Sequence, residues 1–197
     1  LTATPERRDG KNILEYFGGH ITAELRLPEA IERGLLCPFQ YFGVTDTINL
    51  DNVSWKSGGY DKQELSNLYT LSSHIANKRA DHVIRSIEKY TSDIAQIHGL
   101  GFCVSIAHAK FMAEYFTEHN IPSIYLTADS DDETRNSAKS KLEACEINFI
   151  FVVDLYNEGV DIPCVDTVLF LRPTESLTIF LQQLGRGLRL CEGKDCL

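Results

Sequence analysis

Four short apolar runs dominate the second half of the chain, and stretches of helical spacing separate most of them. Residues 102–106 (Phe-Cys-Val-Ser-Ile), 124–126 (Ile-Tyr-Leu), 149–153 (Phe-Ile-Phe-Val-Val) and 167–171 (Thr-Val-Leu-Phe-Leu) show no regular polar alternation. Such runs predict strands covered on both faces. After the first run, Ala109, Met112, Tyr115 and Phe116 share one helical face, and a charged, helix-prone stretch runs from Asp131 to about Cys145. A last helix is predicted over 176–190. Strands alternating with helices imply right-handed crossovers. The expected fold is α/β, a doubly wound, mostly parallel sheet with helices on both faces.

The first hundred residues are less regular. Residues 28–33 predict a short helix closed by Gly34, and 38–44 (Pro-Phe-Gln-Tyr-Phe-Gly-Val) predict a strand. Residues 45–60 read as a polar loop containing Gly58 and Gly59, and Ala80, Val83, Ile84 and Ile87 place one long helix between 75 and 97. No internal repeat or low-complexity tract interrupts the chain. Its 197 residues suit one domain, or one domain with an extension.

Charge narrows the functional classes. A formal net charge of −9 argues against a free-standing nucleic-acid binder, which usually carries a basic surface. The candidate phosphate-facing cluster is Arg172, Arg186, Arg189 and Lys194. Six cysteines are scattered, mostly in apolar runs, without a CxxC pair, so reduced thiols of a cytoplasmic protein are expected rather than a metal site. No apolar stretch approaches the roughly 18 residues of a membrane span, and no partner membrane is expected. Leu1-Thr2-Ala3-Thr4-Pro5 reads as the continuation of something earlier, so the chain is expected to be part of a longer protein.

Two segments carry candidate chemistry. In parallel sheets, ligands bind beyond the C-terminal ends of strands. Residues 154–163 (Asp-Leu-Tyr-Asn-Glu-Gly-Val-Asp-Ile-Pro) lie there, with Gly159 permitting close backbone approach and Asp161 supplying a carboxylate. A plain strand-to-strand connection also needs a glycine and polar residues, so this loop alone leaves both readings open. The second segment is 182–189, Gln-Gln-Leu-Gly-Arg-Gly-Leu-Arg. On a helix, Leu177, Phe180, Leu181, Leu184 and Leu188 face one side, while Gln182, Gly185, Arg186 and Arg189 share the other. Two arginines on one face repel unless an anion lies before them, and interior glycines cost a helix roughly 1 kcal/mol each. A closely approaching phosphate accounts for both, because arginine's planar fork suits bidentate phosphate binding.

Together these residues resemble the superfamily-2 DNA/RNA helicases, the DEAD/DEAH-like motors, along almost the whole chain. Residues 1–5 look like motif III and 104–108 like motif IV. Residues 153–163 look like motif V, and 182–189 match Gln-x-x-Gly-Arg-x-x-Arg of motif VI at every defined position. Gln182 stands where RNA-type DEAD-box proteins have histidine. The Glu-Gly-Val-Asp form of motif V is similar to that of DNA-repair helicases and restriction-enzyme motor subunits. The resemblance therefore implies DNA over RNA as partner.

It also implies a division of labour. Residues 1–36 would be the end of a first motor domain and its linker, and 37–197 the second RecA-like domain. ATP would lie between the two domains, with Mg2+ held by the first. This chain has no GxxxxGK[ST] loop and no acidic magnesium box, and by itself it is expected to be inactive. Arg186 and Arg189 would act as arginine fingers, with Gln182 on phosphate or attacking water. Gly159, Asp161 and Gly185 would contact nucleotide. Ser105, His108, Asp154 and Arg172 would face the nucleic-acid backbone, although a capping or core role suits His108 as well. Val153 stands where motif V usually has threonine, which puts a hydroxyl contact there in doubt. The alternative is a non-catalytic RecA-like module that binds nucleic acid or a partner. A Rossmann-type enzyme fits poorly, since no GxGxxG follows a strand.

Overall fold

A computed structural model describes residues 18–21, 23–46, 48–56, 59–71, 73–153, 162–173 and 176–197. Along the chain run α1 (Leu27–Glu32), a hairpin of β1 (Trp55–Lys56) and β2 (Gly59–Tyr60), α2 (Lys62–Thr70) and α3 (Ser73–Tyr90). A 3-10 turn at Ile94–Gln96 leads to β3 (Gly99–Phe102), α4 (Ile106–Glu118), β4 (Ser123–Leu126), α5 (Asp132–Glu143), β5 (Phe149–Val152), β6 (Thr167–Phe170) and α6 (Leu177–Gly187). The four long-range strands form one sheet in the order β4-β5-β3-β6, every pair parallel.

Period-two alternation along β5 explains the two covered faces. Phe149 and Phe151 enter a core with Ala80, Ile84 and Ile87 of α3 and Ala109, Met112 and Phe116 of α4. Ile150 and Val152 point the other way and pack with Ala138 and Leu142 of α5. The doubly wound expectation is thereby met. Phe116 stands edge-on to both phenyl rings, at centroid distances of 5.3 and 5.0 Å, a preferred aromatic geometry.

The neighbouring strand had to make room. A Cβ on Gly99 would sit 2.1 Å from the Phe149 ring, and one on Gly101 would sit 2.4 Å from Phe151. The two rings lie across the bare backbone of β3. This shifts β3 upstream of the apolar run at 102–106: the strand ends at Phe102, and Ser105 already caps α4 by accepting from the His108 N–H at 3.1 Å. Asp131 caps α5 in the same way, accepting from the Thr134 N–H at 2.7 Å.

Three expectations for the first half are corrected. Residues 38–44 form no strand; 37–40 are instead tied to the chain's other end, with Cys37 N donating to Leu188 O and Gln40 N to Leu197 O, both at 2.8 Å. The polar loop holds the β1–β2 hairpin, and an additional helix, α2, precedes the expected long one. Both were obscured because neither carries an apolar stripe long enough to read; α2 buries only Leu65, Ser66 and Tyr69. Among the described residues no helix is long and apolar enough to cross a membrane.

Candidate functional site

Helix α6 packs as its apolar positions demand, with one exception. Leu184 and Leu188 are buried with Cys37, and the Phe180 ring packs tilted against that of Phe170, with centroids 4.9 Å apart. Leu177, expected on that side, is exposed, because it opens the helix before the packed turns begin. Gln182 is exposed, while Gly185 and Arg186 are half-buried beside it. Arg189 is also half-buried, but it lies two residues beyond the helix end, so loop geometry rather than helical periodicity sets its direction.

The two glycines of this segment separate cleanly. A Cβ on Gly187 would meet the Leu197 side chain at 2.3 Å and Val168 at 2.9 Å, so packing against β6 accounts for that glycine. A Cβ on Gly185 would meet nothing within 4 Å. Packing therefore explains Gly187 and leaves Gly185 with open space on its outer side. A ligand's close approach is needed as an explanation only for Gly185.

Lys194 was grouped with the phosphate-facing arginines; the structure gives it another task. Its ammonium donates to the carbonyls of Gly187, of Arg189 at 3.0 Å and of Pro163 at 3.5 Å. A cation satisfying the last carbonyls of a helix is favoured by the negative end of the helix dipole. The consequence is positional. One side chain ties the end of the 182–189 segment to the end of the 154–163 segment, which are far apart in sequence.

The motif IV segment is the other half of the site. Ser105 lies just past the end of β3, and its hydroxyl meets that of Ser66 at 2.7 Å. His108 is fully buried, so of the two roles left open for it the structure favours the core one. Its Nε2 lies 3.3 Å from an Arg79 N–H and its Nδ1 3.4 Å from the Val104 N–H. A neutral imidazole has one lone pair to offer, so at most one of these donors is accepted. Burial, helped by the Arg79 charge, pushes the His108 pKa down to about 3 and keeps the ring neutral. Arg172 is half-buried just beyond β6. Asp154, Gly159 and Asp161 lie outside the described residues, as do residues 1–5.

Arg79 was missed. It is 6% exposed, pairs with Asp46 at 2.8 Å, donates to Leu171 O at 3.0 Å, and its guanidinium carbon stands 4.1 Å over the Tyr69 ring. It therefore joins α3, the 45–60 region, the end of β6 and His108 into one framework beneath Ser105 and beside Arg172. The signal was present: Arg79 occupies a core-facing position of the stripe formed by Ala76, Ala80, Ile84 and Ile87. Gln183, also passed over, is 2% exposed, and its Oε1 accepts no hydrogen bond among the described residues. A cavity of about 740 Å³ lies along the outer edge of β6, lined among others by Phe42, Tyr90 and Leu169. None of the described candidate nucleotide- or nucleic-acid-facing residues lines it.

Comparison with known proteins supplies the rest. The family described as helicase conserved C-terminal domain matches residues 78–191, over half of the chain. A Saccharomyces cerevisiae protein named as an ATP-dependent helicase, IRC3, is 30% identical over 196 residues, covering 99% of this chain and 27% of that protein. The UvrABC system protein B of Fervidobacterium nodosum is 38% identical over 94 residues, which is 44% of this chain and 14% of that one. Among solved structures, the ATP-dependent Type ISP restriction-modification enzyme LlaBIII bound to DNA superposes with a TM-score of 0.63 at 18% identity, over 92% of this chain and 13% of that one. The chain thus spans about a quarter of the length of the first relative and less of the others.

Proposed function

Since the chain belongs to the family of helicase conserved C-terminal domains, we propose that it is the second RecA-like domain of an ATP-dependent helicase or translocase. In this reading residues 1–36 belong to a first motor domain and its linker, and ATP is the substrate bound between the two domains. The observation that carries it is Gly185: a helical glycine with open space where a side chain would stand, next to Arg186 and one turn from exposed Gln182. A planar guanidinium and a bare backbone on one surface suit a phosphate chain brought up by another domain.

In this reading Mg2+ is held by the first domain, since the acidic magnesium box of such motors does not occur in this chain's sequence. Arg186 and Arg189 stabilise charge on the transferring phosphoryl group, and Gln182 positions phosphate or attacking water. Lys194, by binding the carbonyls of Gly187 and Arg189 together with that of Pro163, ties the arginine segment to Pro163; in this reading Gly159, Asp161 and Gly185 contact nucleotide.

Nucleic acid, DNA in preference to RNA, runs past the C-terminal ends of β3 and β6, where Ser105 and Arg172 lie, with Asp154 as a further contact in this reading. One observation favours this choice: a structural neighbour, the ATP-dependent Type ISP restriction-modification enzyme LlaBIII, was solved bound to DNA. His108 acts from beneath, as a neutral core group supporting the turn that carries Ser105.

The test uses a longer protein that contains this chain. Arg189→Ala should lower kcat for ATP by about 10³-fold, the scale of a lost arginine finger, with a smaller change in KM. Unchanged turnover at saturating ATP would overturn the assignment. The 197-residue chain alone should show no ATPase above background with or without DNA.

A further inference from the structure

At the opposite edge of the sheet, before the N-terminal ends of β3, β5 and β6, three side chains stand in a line. His98 Nδ1 lies 2.9 Å from Asp166 Oδ2, and His98 Nε2 lies 3.3 Å from Cys145 Sγ. Asp166 is fixed in turn: its carboxylate accepts the His98 backbone N–H at 3.1 and 3.2 Å and the Thr167 hydroxyl at 2.9 Å. A carboxylate can only accept, so His98 carries its proton on Nδ1 and turns the bare lone pair of Nε2 toward the cysteine. This is the geometry of a nucleophile, a base and an orienting acid. Side-chain exposures of 21% for His98 and 29% for Asp166, with Cys145 half-buried, leave the line open to small molecules.

Cys145 itself sits where chain geometry favours glycine. Its φ is +53°, and it occupies the turn that closes α5, with Cys145 N donating to Leu142 O at 3.0 Å and Glu146 N to Lys141 O at 2.9 Å. That pair of bonds is the Schellman ending, whose left-handed position is usually glycine. A side chain there is held at a modest cost, and here it points its sulfur at a base.

We propose that Cys145 is a nucleophilic thiol, activated by His98 and oriented through Asp166, that undergoes exchange with low-molecular-weight disulfides lacking negative charge. In the step, the Cys145 S–H proton passes to His98 Nε2 as the sulfur bonds to one sulfur of the disulfide. The disulfide's S–S bond breaks, and the departing thiolate takes the proton from the imidazolium to leave as a thiol. Redox balance is internal: Cys145 is oxidised to a mixed disulfide and the other half of the reagent is reduced. The charge preference follows from the ionisable groups on the segments that meet here. These are Lys141, Glu143 and Glu146 at the end of α5, Asp93 in the turn before His98, and Cys164 and Asp166 before β6. Glu143 is paired with Lys139 at 3.8 Å. The balance is acidic, which repels an anionic reagent.

The other thiols serve as internal standards. Cys37 and Cys103 are buried, Cys164 is raised to about 11 chiefly by burial, and Cys191 and Cys196 are half-buried without a histidine contact among the described residues. The experiment is site-resolved mass spectrometry of the 197-residue chain exposed to limiting cystamine, and separately to oxidised glutathione. Cys145 should form the mixed disulfide about a hundredfold faster than Cys191 and Cys196, the lower range for a positioned base. Cystamine should outpace glutathione disulfide by about tenfold, beyond their ratio at Cys191. His98→Gln should bring Cys145 down to the rate of Cys191, and Asp166→Asn should lower it while changing the pH dependence of exchange. Equal rates at Cys145, Cys191 and Cys196 in the unmutated chain would overturn the proposal without any variant. So would a fast Cys145 whose rate His98→Gln leaves unchanged. A role confined to structure would move the melting temperature and not these rate ratios.

Discussion

Gly185 and Gly187 stand two residues apart in one helix, yet alanine should act on them in opposite directions. At Gly185 the added methyl meets no atom within 4 Å. Only the gain in helix propensity remains, roughly 0.5–1 kcal/mol. In a chain of this size that is a rise of about 2–4 °C in Tm per kcal/mol. At Gly187 the methyl would lie 2.3 Å from a Leu197 terminal carbon and 2.9 Å from Val168 Cγ2. Leu197 can swing, but it packs with Leu184 and Leu188 and its backbone is bonded to residues 38 and 40, and Val168 belongs to β6. Overpacking of this kind costs about 1–3 kcal/mol, more than the propensity gain. The two variants should therefore differ by about 1–3 kcal/mol in urea unfolding of this chain at neutral pH, with Gly185→Ala the more stable and m-values unchanged. In a longer protein with ATPase activity, Gly185→Ala should nevertheless lower turnover, because in the proposed reading the methyl stands where phosphate approaches. Equal stabilities would refute the packing argument, and full turnover in Gly185→Ala would remove the reason for the glycine.

His108 has a lowered pKa in the folded chain, so unfolding takes up a proton below about 6.5. Stability from this group is complete above pH 6.5 and falls as pH drops toward about 3. His108→Gln should flatten the acid limb between pH 6.5 and 4.5 by up to about 1.4 kcal/mol per pH unit; an unchanged slope would refute it. Arg79→Met should destabilise by about 3 kcal/mol, because it strands Asp46 and the Leu171 carbonyl, and Arg79→Lys should not restore the loss since an ammonium cannot serve both while stacking on Tyr69. Chemical denaturation of the two variants measures both effects. Gly101→Ala should cost about 2–3 kcal/mol through the Phe151 ring, and Phe151→Leu in the same chain should recover part of it; simple additivity in that double-mutant cycle would show that the two residues do not meet.

Periodicity was enough for the sheet. The runs at 124–126, 149–153 and 167–171 became β4, β5 and β6, and Asp131 opened α5 where its capping chemistry placed it, because local pattern and local hydrogen bonding determine such elements. The resemblance carried by four motifs in order likewise identified the family, whose model matches residues 78–191. Other features depended on partners distant in sequence. Gly99 and Gly101 belong to β3 because the Phe149 and Phe151 rings lie over them, so the strand runs 99–102 where the apolar run pointed to 102–106. For His108 the sequence left a backbone-facing role and a core role both open, and the approach of Arg79 and Tyr69 from other helices made it a core group. Lys194 looked like one more phosphate-facing cation until the folding back of residues 188–197 set it against three carbonyls. A sequence states which side chains are able to ionise, pack or donate. Which of those abilities is used depends on what the tertiary structure brings within a few ångströms.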